Sequence, residues 1–165
     1  MKISHRGLYA LKAVLHLAEA HDRGLVKIHE IAEQEDIPEK FLEGILVTLK
    51  NARVVASERG REGGYRLRRL PEEIMVGELV RLMDGPLAPL GDAVELADRV
   101  RTEPRHAGLF AVFLDVRNAA AAILDHTSLA DVLRRSQALS RQRGRGNANL
   151  RWKLVLMVGR CTKSL

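Results

Sequence analysis

Sulfur, aromatic rings and unbroken apolar length are what this 165-residue chain has least of. A single cysteine, Cys161, excludes an internal disulfide and with it the small secreted scaffolds held by cross-links. Aromatic residues make up 4% of the chain, so a core must be built from Leu, Ile, Val and Ala, a composition that suits helices. No uninterrupted run of about 18 apolar residues occurs, so neither a membrane-spanning helix nor a membrane partner is expected. Met1 to Arg6 lacks the apolar stretch of a secretory signal, and the expectation is a cytoplasmic protein. The G-K-[ST] of a phosphate-cradling loop, H-E-x-x-H and G-x-S-x-G are all missing, and the histidines are scattered without catalytic or metal-binding spacing. An enzyme is not expected.

Charge is plentiful but uneven. The net charge is +6, yet residues 1–70 carry +3, residues 71–133 carry −6, and residues 134–165 carry +9 with no acidic residue at all. The overall basic balance therefore says little about the first four fifths of the chain. Any nucleic-acid reading there must rest on local arrangement.

That arrangement lies between Lys27 and Arg69. Ile28, Ile31 and Ala32 recur at helical spacing, and Pro38 then ends one helix and opens another. In the second helix Phe41, Leu42, Ile45, Leu46 and Leu49 form an inward stripe, leaving Glu39, Lys40, Glu43 and Val47 outward. Two short helices joined by a tight turn, the second with a polar outer face, make a helix-turn-helix. Strands over Val54–Ser57 and Tyr65–Arg68 should follow, joined by a turn holding Gly60, Gly63 and Gly64. Arg59, Arg61, Arg66, Arg68 and Arg69 sit on or beside that hairpin. Taken alone they could be a solvated charge run. Directly after the helix pair they read as a basic β-wing for the DNA backbone or minor groove. Ahead of both, a first helix from an N-cap at Ser4 to about His21 should pack beneath, with Gly24 marking its end.

Ser57, Arg59, Gly60, Gly63, Gly64, Tyr65 and Leu67 reproduce an S-x-R-G-x-x-G-G-Y-x-L run, and here the chain resembles the Rrf2 family of bacterial transcription regulators. Gly7–Leu11, Asp84–Pro89 and the Leu124–Asp131 segment are similar to that family's opening helix, post-wing segment and closing motif. The resemblance spans roughly residues 1–133. It implies a mainly α fold with a small β-hairpin wing: a winged helix-turn-helix plus a long C-terminal dimerisation helix. It also implies base-reading residues at the first turns of the recognition helix, matching Glu39, Lys40 and Glu43. Many members carry an iron–sulfur sensor on three cysteines, whereas the corresponding window, roughly 91–107, holds Asp92, Glu95, Asp98, Glu103 and His106 but no cysteine. Thiolates are the main ligands of such clusters, so neither a cluster nor any other metal or cofactor is expected. Cluster-free members sense through a partner enzyme, which leaves a small-molecule effector or a partner protein open as the signal.

Four segments are expected: a winged helix-turn-helix DNA-binding domain over residues 1–84, a linker or sensor loop over 85–107, a dimerisation helix and short closing helix over 108–133, and a basic, disordered tail over 134–165. The loop could instead hold a short helix, and Thr127 is the expected N-cap of the closing helix, which should run through Val132. Leu109, Val112, Phe113, Val116, Ala120 and Ile123 line one side of the long helix, a stripe that could be intramolecular core but is expected to be the seam of a homodimer, since the helix-turn-helix half leaves little core for it to join. Double-stranded DNA is the expected partner, contacted by Glu39, Lys40, Glu43, Arg59, Gly60, Arg61 and Tyr65. The expected function is a sequence-specific regulator, a repressor, acting as a homodimer on a dyad operator. The alternatives are a winged-helix protein-interaction module or a non-specific nucleic-acid binder using the basic tail.

Overall fold

The structure, a computed structural model, describes residues 3–86 and 92–143. Its first helix, α1 (His5–Glu19), begins where expected: the Ser4 hydroxyl caps it by accepting from the Gly7 amide at 3.0 Å. Asp84, at the far end of α4 (Val76–Asp84), closes over the same terminus. Its carboxylate accepts from the Ser4 amide at 2.9 Å and also from the Ser4 hydroxyl. A side chain at position 7 would meet that carboxylate, with a Cβ only 2.5 Å from Asp84 Oδ2.

α1 lies beneath the helix-turn-helix, burying Ala10, Ala13, Val14 and Leu17 against α2 (Ile28–Glu35) and α3 (Glu39–Asn51). The turn between α2 and α3 is three residues long. Asp36 takes a left-handed conformation (φ 53°) as α2's C-cap, Ile37 is buried and bonds to the Ala32 carbonyl at 2.9 Å, and Pro38 begins the next helix. Glu35 ties α1 to the end of α2: its carboxylate meets buried His16 at 3.3 Å and Lys12 at 3.6 Å.

The wing is an antiparallel pair, β1 (Val55–Glu58) and β2 (Gly64–Leu67), in register Val55↔Leu67 to Glu58↔Gly64. Both strands are displaced by one residue from the expected ranges, Val54 lying before the ladder and Arg68 beyond it. Val26 adds a third edge that the sequence reading lacked, exchanging backbone bonds with Tyr65 at 2.9 and 2.8 Å. A Cβ on Gly64 would lie 2.6 Å from the Val26 carbonyl, so this close pairing requires a glycine there.

After the wing, Pro71 and Ile74 are buried and α4 returns along α1. α5 (Ala93–Thr102) occupies most of the described part of the expected loop, so its helical alternative holds. Asp92 caps it, accepting from Val94 and Glu95 at 2.8 and 3.0 Å, and buried Leu96 packs it on α6 (Ala107–Leu124). Arg99 sits over the Phe110 ring at 5.4 Å. The Leu87–Gly91 connector lies outside the described residues.

The C-terminal expectations need two corrections. The N-cap of α7 (Leu129–Arg143) is Ser128, not Thr127. The Thr127 hydroxyl is already bonded to the Ile123 carbonyl at 2.6 Å, while Ser128 and Asp131 exchange bonds of 3.0 and 3.1 Å as a capping box. α7 also runs to Arg143 rather than stopping at Val132, so the tail is not disordered from residue 134. Leu133 to Gln142 contains no glycine or proline and is rich in strong helix formers, and Gly144 is the first breaker. Residues 144–165, including Cys161 and the apolar Leu154–Val158 run, lie outside the described residues. The described residues divide into two units after Val132.

The corner between α6 and α7 is stitched to the approach to α4. Val76 donates to the Thr127 carbonyl at 2.9 Å, Leu129 donates to the Ile74 carbonyl at 3.0 Å, and Met75 and Ser128 form a β-bridge. Arg81 of α4 pairs with Asp125 beside it.

Candidate nucleic-acid interface

Burial divides α3 along its length. Leu42, Ile45, Leu46 and Leu49 are completely or almost completely buried, whereas Glu39, Lys40, Glu43, Gly44, Val47, Lys50 and Asn51 are exposed. The arrangement leaves a full outward face for a groove. Phe41, assigned inward from its spacing, lies instead at the rim, exposed on one side and packed edge-on against Tyr9 of α1 at 5.8 Å. It stands at the border of the apolar arc, where a bulky ring reaches past α1 instead of beneath it. On the same border, two turns further along α3, Arg6 of α1 donates to the Thr48 hydroxyl at 2.8 Å, and that hydroxyl donates to the Gly44 carbonyl at 3.1 Å.

At the hairpin tip Arg59, Gly60 and Arg61 are all exposed. Gly60 has φ +114°, a conformation that L side chains rarely adopt, and its carbonyl accepts from Gly63 at 3.0 Å to close the turn. The five arginines are not equivalent. Arg69 is held by Glu78 of α4 at 2.5 Å, and Arg66 faces Glu58 across the ladder at 3.6 Å. Arg59, Arg61 and Arg68 make no ion pair among the described residues, which leaves three guanidinium groups for an outside anion. Tyr65 is half-buried in mid-strand, its backbone engaged by Val26.

A second exposed surface belongs to α6. Leu109, Val112, Val116 and Ile123 are 53–59% exposed, with Phe113 and Ala120 half-buried beside them. At 3.6 residues per turn all six fall within a strip about 100° wide. Phe110 and Ala121, on the adjoining arc, are buried in the chain's own core. Pro104–Leu124 is long and apolar enough to cross a membrane by length and composition alone. Asp115 and Arg117 fall in its middle, however, where each would cost about 2.5–3.5 kcal/mol at a bilayer centre.

Residues 3–135 match Rrf2, described as an iron-dependent transcriptional regulator. The chain belongs to the Rrf2 family. A Mycobacterium tuberculosis protein named as an HTH-type transcriptional regulator is 39% identical over 132 residues, 80% of this chain and 81% of its own. The regulator CymR of Bacillus subtilis is 33% identical over 132 residues, 80% of this chain and 89% of its own. The solved structure of that CymR, titled the global cysteine regulator of B. subtilis, aligns with TM-score 0.66 and 31% identity over 80% of this chain and 95% of CymR. The structure of T. potens IscR aligns with TM-score 0.64 and 30% identity, over 82% and 88% of the two chains. The chain is thus a DNA-binding transcription regulator with a winged-helix fold, as other Rrf2 regulators are, and not an enzyme.

An iron-dependent regulator needs donors that can hold the metal. Among the described residues no three His, Cys, Asp or Glu side chains are grouped to hold a metal. In the window from Asp92 to Ala107 Asp92 caps α5, Asp98 pairs with Arg101, Glu95 and Glu103 pair with Arg99, and His106 lies 3.9 Å from Glu103. Carboxylates already spent on caps and arginines, with one imidazole and no thiolate, do not fit an iron–sulfur cluster.

Proposed function

We propose that this Rrf2 regulator is a homodimeric repressor that reads a dyad operator without an iron–sulfur cluster. The observation that carries this reading is the undivided outward face of α3, opposite a wholly buried stripe, in a chain whose wing tip presents unpaired arginines. In the proposed complex α3 lies in the major groove, with Glu43 accepting from cytosine N4 and Lys40 donating to guanine or phosphate. Glu39 lies at the helix's first turn. Arg59 and Arg61 at the tip, with Gly60 allowing close approach, clamp phosphates or enter a narrow minor groove, and Tyr65 supports the strand behind them.

The apolar strip of α6 supports pairing of two copies through Leu109, Val112, Phe113, Val116, Ala120 and Ile123. Two-fold symmetry would set the recognition helices about 34–36 Å apart, one helical turn of DNA. Such a regulator works where bacterial DNA is, in the cytoplasm. Its signal would be a small molecule or a partner protein.

Selection from random duplex DNA, followed by sequencing of the bound fraction, tests the reading. A dyad motif with half-sites one turn apart is expected, and a Glu43→Ala variant should lose preference at one position per half-site. Addition of the protein should then lower transcription from a promoter carrying that motif. Salt-sensitive binding with no motif would overturn the operator proposal.

A further inference from the structure

The middle of α3's outward face has no side chain. At about 100° per residue the buried Leu42, Ile45, Leu46 and Leu49 define one direction, and Lys40, Gly44, Val47 and Asn51 lie opposite. Gly44 is therefore central to the very surface that faces the groove. Nothing in the fold requires a glycine there: a Cβ at position 44 would meet no atom within 4 Å, and the residue is ordinary helix without positive φ. A glycine inside a helix nonetheless destabilises it by roughly 1 kcal/mol relative to alanine. The next outward residue, Val47, is a 56%-exposed valine on a face otherwise made of charged and polar groups. The Gly44 carbonyl is held by Thr48, and Thr48 is held by Arg6, which steadies this part of the helix without covering it.

We infer that Gly44 and Val47 form a shallow apolar step that receives the C5-methyl group of a thymine in each half-site. Removing the Cβ at position 44 lets the helix sit deeper against the base edges. The Val47 methyls then reach the one apolar group displayed in the major groove, the thymine methyl. The pair adds a specificity determinant beside Glu43. The inference rests on the operator reading above.

Once an operator has been selected, each thymine is replaced singly by uracil, which removes only the methyl. Binding by the wild-type protein, Gly44→Ala and Val47→Ala is then measured, with the thermal midpoint of each. One thymine per half-site should lose about fourfold in wild-type affinity on demethylation, the value of one buried methyl-sized group. Val47→Ala should be indifferent to that change. Gly44→Ala should bind the unmodified operator at least tenfold more weakly while its thermal midpoint stays level or rises, because the added methyl stands in open space.

An operator bound with no methyl-sensitive thymine, an equal methyl effect in Val47→Ala, or undiminished binding by Gly44→Ala would each overturn the inference while leaving the operator reading intact. Failure of the wild-type protein to select any motif would remove both.

Discussion

In the proposed homodimer the apolar strip on α6 would contribute a measurable dimerisation energy. Val116 is 59% exposed in the single chain and sits mid-strip between Val112 and Ala120. Complete burial of a valine side chain contributes at least 1.5 kcal/mol, so burying the exposed fraction in an interface contributes about 1 kcal/mol. Two-fold symmetry counts that loss twice when Val116 becomes alanine. The resulting ~2 kcal/mol raises the dimer dissociation constant about 30-fold. Sedimentation equilibrium over a concentration series reads this directly. Leu70→Ala serves as the control, because Leu70 is 53% exposed beside the wing, away from the strip, and should leave the constant unchanged. If Val116→Ala shifted the constant by less than twofold, or if Leu70→Ala shifted it equally, α6 would not be the seam.

Three further outcomes follow from particular contacts. Arg59→Ala should weaken every site alike and flatten the salt dependence of binding by about one unit, whereas Arg69→Ala, whose guanidinium is held by Glu78, should leave that slope unchanged in a salt titration. Gly7→Ala should lower the thermal midpoint despite alanine's better helix propensity. The new methyl expels Asp84 from the end of α1, losing a charge-assisted hydrogen bond of about 1.5–3 kcal/mol against a gain of about 1 kcal/mol, and calorimetry showing a higher midpoint would refute this. Protein purified without oxygen should show no visible-region absorbance bands, and a brown sample would overturn the exclusion of a cluster.

Much of the DNA-reading half was legible because its signals are local. The α3 stripe, the Pro38 boundary, the Ser4 cap and the glycine-marked wing turn depend on neighbours within a few residues. What escaped depends on partners far away in sequence. Val26 joins the wing only because Gly64 lets its carbonyl approach, and a lone valine between Gly24 and Lys27 carries no strand periodicity. Arg66 and Arg69 looked equivalent to Arg59 until Glu58 and Glu78 were found beside them. Phe41 followed the helical period, but its ring could be placed only once Tyr9 was located. Thr127 and Ser128 are both good caps, and the choice between them was decided by the end of α6, which takes the threonine hydroxyl. The extension of α7 was masked by its charge: a run of arginines among polar residues suggested disorder, although helix propensity through Gln142 is high throughout.

The stitched corner at Ile74–Val76 and Thr127–Leu129 has a consequence for how a signal could act. Both of its hydrogen bonds run main chain to main chain, so among substitutions only a proline at Val76 or Leu129, which removes the donating amide, deletes either one, and bending the joint would break both. The reading head and the long helix of one copy therefore travel together. In the proposed homodimer a stimulus felt along that helix would alter the distance between the two heads by changing how the copies meet, as the angle of a pair of tongs is set at the pivot and not along the arms.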